Sequence, residues 1–149
     1  MQMSAVTNVV DPTKPAWVRD WVGLPFAPRG RTADGVDCWG LVRLIYARSF
    51  GIALPAYDEE YSAPSCVMEV AALVAGVRRG WREIRAGQER DGDVVLMRVR
   101  GLPCHVGVVA GGGWMVHAEE GIGSVLEAYG GPRWGRRVLG FFRHDCDVR

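Results

Sequence analysis

Hydrophobic and polar positions follow two different rhythms along this chain. Residues 38–50 (CWGLVRLIYARSF) are apolar nearly all round, interrupted mainly by Arg43, Arg48 and Ser49. That pattern predicts a short central helix, with Asp37 placed to cap its start and Gly51 placed just past its end. A second, amphipathic helix is expected from Cys66 to Arg79, stopping before Gly80. From Trp81 onward the period shifts towards two. Asp93–Val99, His105–Ala110, Trp114–Ala118, Ser124–Tyr129 and Arg137–Arg143 are short, rich in β-branched or aromatic residues, and bounded by Gly, Pro or charge. Helices first and strands afterwards imply an α+β class with an antiparallel sheet.

The remaining segments connect these elements. Residues 1–15, with Pro12 and Pro15, read as a flexible N-terminal arm, and 16–145 as one domain. Trp17–Trp21 fits a helical turn that points Trp17, Val18 and Trp21 inward. Residues 23–37 (GLPFAPRGRTADGVD) have the Gly, Pro and Asp content of an ordered loop, and residues 52–65 form a second loop.

Composition narrows the function classes. The chain has 149 residues, 48% of them hydrophobic, and a mean hydropathy of +0.00. Such a chain can bury a core unaided. Eighteen Lys+Arg against seventeen Asp+Glu leave a net charge of +1, and Lys14 is the single lysine. Nothing in that balance points to nucleic acid or to an anionic membrane. Residues 70–77 are the longest apolar run, far short of the ~20 residues a bilayer span needs. No secretory signal is visible at the N-terminus. The four cysteines (Cys38, Cys66, Cys104, Cys146) are widely spaced, which argues against a disulfide scaffold or a paired-cysteine zinc site.

Candidate chemistry begins at Cys38. Unpaired N–H groups and the helix dipole at a helix start favour a thiolate there. On position alone, Cys38 reads first as a small buried core residue. His105 and His117 flank Gly111-Gly112-Gly113, a hairpin signal. Side chains alternate along a strand, so an odd-numbered loop puts both histidines on one face, whereas a two-residue loop separates them. On one face with Cys38, His105 serves as base and His117 as the group that orients it. His117 also reads as a polar residue satisfied at a strand edge. His144 falls in a charged tail. Cys104 and its neighbour His105 point to opposite faces of a strand, so they do not share a metal ion. Residues 129–135 (YGGPRWG) form a loop or a docking surface, and Arg133, Arg136 and Arg137 either meet a carboxylate or are solvated.

The string 34–42 (DGVDCWGLV) resembles the D-C-x-G-[LF]-V signature of the NlpC/P60 cysteine peptidases. Residues 92–97 (GDVVLM), 105–109 (HVGVV) and 114–118 (WMVHA) resemble that family's Gly-Asp strand, H-V-G-[IV] strand and [FMW]-[IV]-H-A strand, in the same order. The likeness runs from about Gly23 to Ala118. It implies a papain-like core in which N-terminal helices, including the nucleophile helix, pack on a five- to six-stranded antiparallel sheet. The implied catalytic residues are Cys38 as nucleophile, His105 as base and His117 as third polar residue. Cys38 with Asp37, Phe26 and Trp39 is implied to line the oxyanion and substrate region, with no metal or cofactor. Family members usually carry Tyr where Phe26 stands and a small residue where Trp39 stands. Trp39 resembles a phage-tail and gene-transfer-agent branch of the family. The implied substrate is the peptidoglycan stem peptide, cleaved at a γ-D-glutamyl–diamino-acid linkage to open a cell wall during DNA delivery. Implied partners are other tail-tip proteins, and the implied location is the producing cell's cytoplasm and then a particle tail. Alternatives on the same core are a structural tail component with a vestigial site, or a thiol amidase or acyltransferase.

Overall fold

A computed structural model describes residues 13–54 and 80–146, without the side chains of residues 102–104. The expected helix over Cys66–Arg79, most of the 52–65 loop and most of the N-terminal arm lie outside the described residues.

A 3-10 turn, Ala16–Asp20, opens the described chain. It buries Val18 and precedes the buried Trp21, whose indole N–H donates to Ser49 Oγ at 2.8 Å. The expected 23–37 loop instead contains a two-stranded ribbon, β1 (Arg31–Thr32) and β2 (Gly35–Val36). A tight turn at Ala33-Asp34 allows this, and Phe26 adds a parallel bridge to Val36. Helix α1 follows at Cys38–Ile45 and continues as a π-helical turn, Tyr46–Phe50. Gly51 ends it with φ of 73°, a left-handed conformation suited to glycine.

Strands β3 (Trp81–Ile84), β4 (Val94–Val99), β5 (Leu102–Val109), β6 (Trp114–Glu119), β7 (Gly123–Ala128) and β8 (Val138–His144) form one sheet. Their order is β3-β8-β4-β5-β6-β7, and the paired neighbours are antiparallel. β5 starts earlier than its apolar pattern suggests. Arg100 and Gly101, with φ of 54° and 80°, make a two-residue turn that lets Leu102 pair with Val99.

Alternation gives the sheet two buried faces. Val94, Leu96, Val106, Val108, Val116, Ala118 and Phe142 join α1 in one core. Val95, Met97, Val109, Met115 and Phe141 pack with Tyr129 and Trp134 in another. Both faces of the central strands are covered, which explains their nearly continuous apolar runs. Tyr46 reaches across from the helix and donates its hydroxyl proton to the Gly92 carbonyl, tying α1 to the entrance of β4. His144, expected in a charged tail, instead ends β8 opposite Trp81, with its ring edge-on to that indole. Among the described residues, no helix is long and apolar enough to cross a membrane.

Candidate active site

Helix α1 presents Cys38 as its first residue. The Asp37 carboxylate caps it, accepting from the Gly40 N–H at 2.7 Å and from Arg31 Nη1 at 2.7 Å. Burial pushes the Asp37 carboxyl up, against the opposing pull of the Gly40 and Arg31 bonds. Gly40 is required here: a Cβ at that position would lie 1.9 Å from the Gly30 carbonyl oxygen. Cys38 is buried, as is Trp39 (1% exposed), and Phe26 packs at the margin of the same core. Asp37 thus builds the helix start, while Trp39 and Phe26 support it from the core.

The histidines occupy the adjoining strands. α1 packs against both β5 and β6. Gly111-Gly112-Gly113 makes an odd loop, with Ala110 N–H bonded to the Trp114 carbonyl. The resulting register pairs Val108 with Val116 and Val109 with Met115. His105 and His117 therefore share a face on a diagonal, as the odd-loop reading requires, and their rings meet with Nε2 of His105 2.8 Å from Nδ1 of His117. Gly107 leaves the room between them, since a Cβ there would sit 3.1 Å from the His117 Cβ and 3.0 Å from Met115 Sδ.

Two partners of the histidines escape a reading of the sequence. His117 Nε2 lies 2.8 Å from Glu127 Oε1, and Arg133 Nη1 reaches both oxygens of Glu127 at 3.0 Å while its Nη2 holds Glu119. Trp134 lies flat on the His105 ring, with centroids 5.2 Å apart and planes at 12°, and stands edge-on to His117. The loop at 129–135 is thus a cover over the histidine pair. Arg133 is bound to carboxylates, and Arg137 lies over the Trp134 ring. Glu127 was findable by carrying strand parity through the next three-residue turn, because β7 pairs Val125 with His117.

Electrostatics follow from these contacts. Burial, then the neighbouring His117 and Arg133, lower the His105 imidazole from 6.5 to about 3. Burial also lowers His117, although Glu127 and Glu119 oppose the shift. Burial alone would push Glu127 up, but His117, the Trp134 indole N–H and Arg133 outweigh it and hold the carboxyl below its usual range. The indole N–H is close enough to favour that charge but makes no well-formed hydrogen bond among the described residues. Both histidines are consequently neutral at pH 7. His117, Glu119 and Glu127 place three donor atoms within 4.8 Å of one another, an arrangement with metal-ligand chemistry, but the Arg133 guanidinium binds both carboxylates.

A capped helix opening on a buried cysteine, beside a sheet presenting a covered histidine pair, defines the class of protein. The NlpC/P60 family model matches residues 23–143, and the chain belongs to the NlpC/P60 family. Among its relatives is the murein DD-endopeptidase MepS/murein LD-carboxypeptidase of Escherichia coli K12, 28% identical over 120 residues that cover 79% of this chain and 54% of that protein. Tail tip assembly protein K of Escherichia phage N15 is 30% identical over 132 residues, covering 85% of this chain and 51% of that protein. The chain spans about half the length of these relatives. The fold matches the NlpC/p60 domain of the peptidoglycan hydrolase SagA with a TM-score of 0.61 at 20% identity, covering 86% of this chain and 93% of that one. An NlpC/P60 family protein from Bacillus cereus aligns with a TM-score of 0.64 at 23% identity, over 90% of this chain and 42% of that one.

Proposed function

We propose that the chain is a cysteine peptidase acting on peptidoglycan stem peptides, with Cys38 as nucleophile, His105 as general base and His117 as the residue that orients it. The observation that carries this reading is that the helix Cys38 opens packs against the two strands whose histidines, His105 and His117, bond to each other. His105 Nδ1 takes the thiol proton, and the Cys38 sulfur attacks the acyl carbon of the stem peptide. The Cys38 backbone N–H, at the positive end of the α1 dipole, supports the developing oxyanion. The imidazolium then returns its proton to the leaving amine, and water clears the thioester.

The family resemblance extends the reading to a γ-D-glutamyl–diamino-acid bond. The relative named tail tip assembly protein K supports a place on a phage or phage-like tail, where the enzyme would open the wall locally for DNA delivery. Phe26, which lacks the hydroxyl usual in the family, and Trp39 shape the substrate side of the helix start from beneath. Purified peptidoglycan digested with the protein should release diamino-acid-containing peptides cut from the stem, identified by mass spectrometry. Cys38→Ala and His105→Ala should release none while remaining folded. Equal release by wild type and Cys38→Ala would end the assignment. Folded wild-type protein that releases nothing from any wall chemotype would favour a structural tail component. Transfer of the acyl group to an added amine would identify an acyltransferase.

A further inference from the structure

We propose that Glu127, clamped by Arg133, is a positioning residue that fixes the tautomer of both histidines and supplies the counter-charge for a proton arriving on His105. The inference rests on His105 acting as the base. With Glu127 held as a carboxylate by Arg133, the contacts allow one hydrogen-bond direction. An ionised Glu127 can only accept, so His117 Nε2 must donate to it at 2.8 Å. Neutral His117 then has a lone pair on Nδ1, which accepts from His105 Nε2–H at 2.8 Å. His105 is left with its lone pair on Nδ1, the nitrogen that would take the thiol proton. Reversing Glu127 to a protonated donor would turn the whole chain round and leave a proton where the base is needed.

Arg133 secures the direction. It holds Glu127 through both carboxylate oxygens at 3.0 Å and also pairs with Glu119. The charged groups facing the pair are therefore Glu119 on β6, Glu127 on β7 and Arg133 in the β7–β8 connection, while Arg137 lies beyond the Trp134 ring. Two carboxylates and one guanidinium leave one uncompensated negative charge. The cluster becomes neutral on gaining a single proton and would be positive on gaining two. Trp134, stacked on His105, keeps water from that ring and preserves the directional preference.

The test is nitrogen-detected NMR of the intact chain labelled with 15N-histidine at neutral pH, which reports the protonated nitrogen of each ring. Wild type should show His105 and His117 both as the Nε2–H tautomer. Glu127→Gln, whose amide oxygen still accepts, should retain that pattern, whereas folded Glu127→Ala should mix tautomers at both rings. Cys38 alkylation by iodoacetamide should slow by about tenfold or more in Glu127→Ala, against the ~10²–10⁴ that base assistance is worth, and less in Glu127→Gln. A wild-type His105 protonated at Nδ1 overturns the inference whether or not any variant folds. So does a folded Glu127→Ala with unchanged tautomers. If the tautomers behave as stated but His105→Ala leaves Cys38 alkylation unchanged, Glu127 positions the histidines as inferred and the Cys38–His105 pairing fails.

Discussion

Replacing Asp37 with alanine removes the contacts that start α1. Its carboxylate makes two short charge-assisted bonds, 2.7 Å to the Gly40 N–H and 2.7 Å to Arg31. Loss of an N-cap costs about 1 kcal/mol. Removing a partly buried arginine's carboxylate partner adds about 1–3 kcal/mol, and the side chains of Arg31 and Asp37 are only 14% and 10% exposed. Asp37→Ala should therefore lose about 2–4 kcal/mol. Asp37→Asn should fare better, because asparagine caps as well as aspartate does. Burial also raises the Asp37 carboxyl, so part of what its charge contributes through Arg31 is offset by desolvation. The asparagine variant should fall within about 1 kcal/mol of wild type, the scale of one retained cap. Urea denaturation at pH 7 measures both, with an unchanged slope showing that the shift is one of stability. An alanine variant within about 0.5 kcal/mol of wild type, the spread of a neutral surface change, would refute the reasoning. Equal losses for Ala and Asn would refute it too.

Other consequences follow from the same contacts. Gly40→Ala, a change that gains about 1 kcal/mol in an open helix, should instead destabilise, because its Cβ would meet the Gly30 carbonyl at 1.9 Å; thermal melting decides the sign. Gly107→Ala should lose about 1–3 kcal/mol by overpacking and also perturb the His117 ring signals, since its Cβ would press on His117 and Met115. Stability should also fall in mild acid. His105 is lowered in the folded state to about 3 from 6.5, so between those values the unfolded chain binds the extra proton. Stability is then greatest above 6.5 and declines as pH falls towards 3, by up to ~1.4 kcal/mol per pH unit for each such proton. Urea midpoints at pH 7 and pH 5.5 should differ in wild type and differ less in His105→Gln, where the lowered His117 still contributes. Glu127 contributes in the same sense only at lower pH: its lowered carboxyl stabilises above the usual carboxylate range and ceases to as pH falls through its folded value.

Much of this architecture is legible because single residues decide it. Asp37 and Gly51 mark the ends of the first helical segment with side-chain and backbone chemistry that needs no tertiary context. The three glycines at 111–113 set the strand parity, and parity alone brings His105 and His117 to one face. What escapes depends on contacts distant in the chain. Residues 31–36 form a ribbon only because Ala33-Asp34 closes a tight turn and the 25–27 segment pairs alongside. Trp134 covers His105 from a glycine-rich loop whose sequence is equally that of a solvated connection. Arg133 looks available for an anionic ligand until Glu119 and Glu127 are seen to hold it. Composition cannot show that a charge is already paired.

Whether the Cys38 sulfur and His105 operate as one pair is decided by the rate of Cys38 alkylation against pH. A neutral His105 that takes the thiol proton as the sulfur attacks keeps alkylation fast below neutrality, whereas an unassisted cysteine titrates near 8.5 and reacts only as its thiolate forms. Wild type should be alkylated rapidly already at pH 6, and folded His105→Ala should follow a curve moved up towards that ordinary value. Superimposable curves for the two proteins would contradict that pairing.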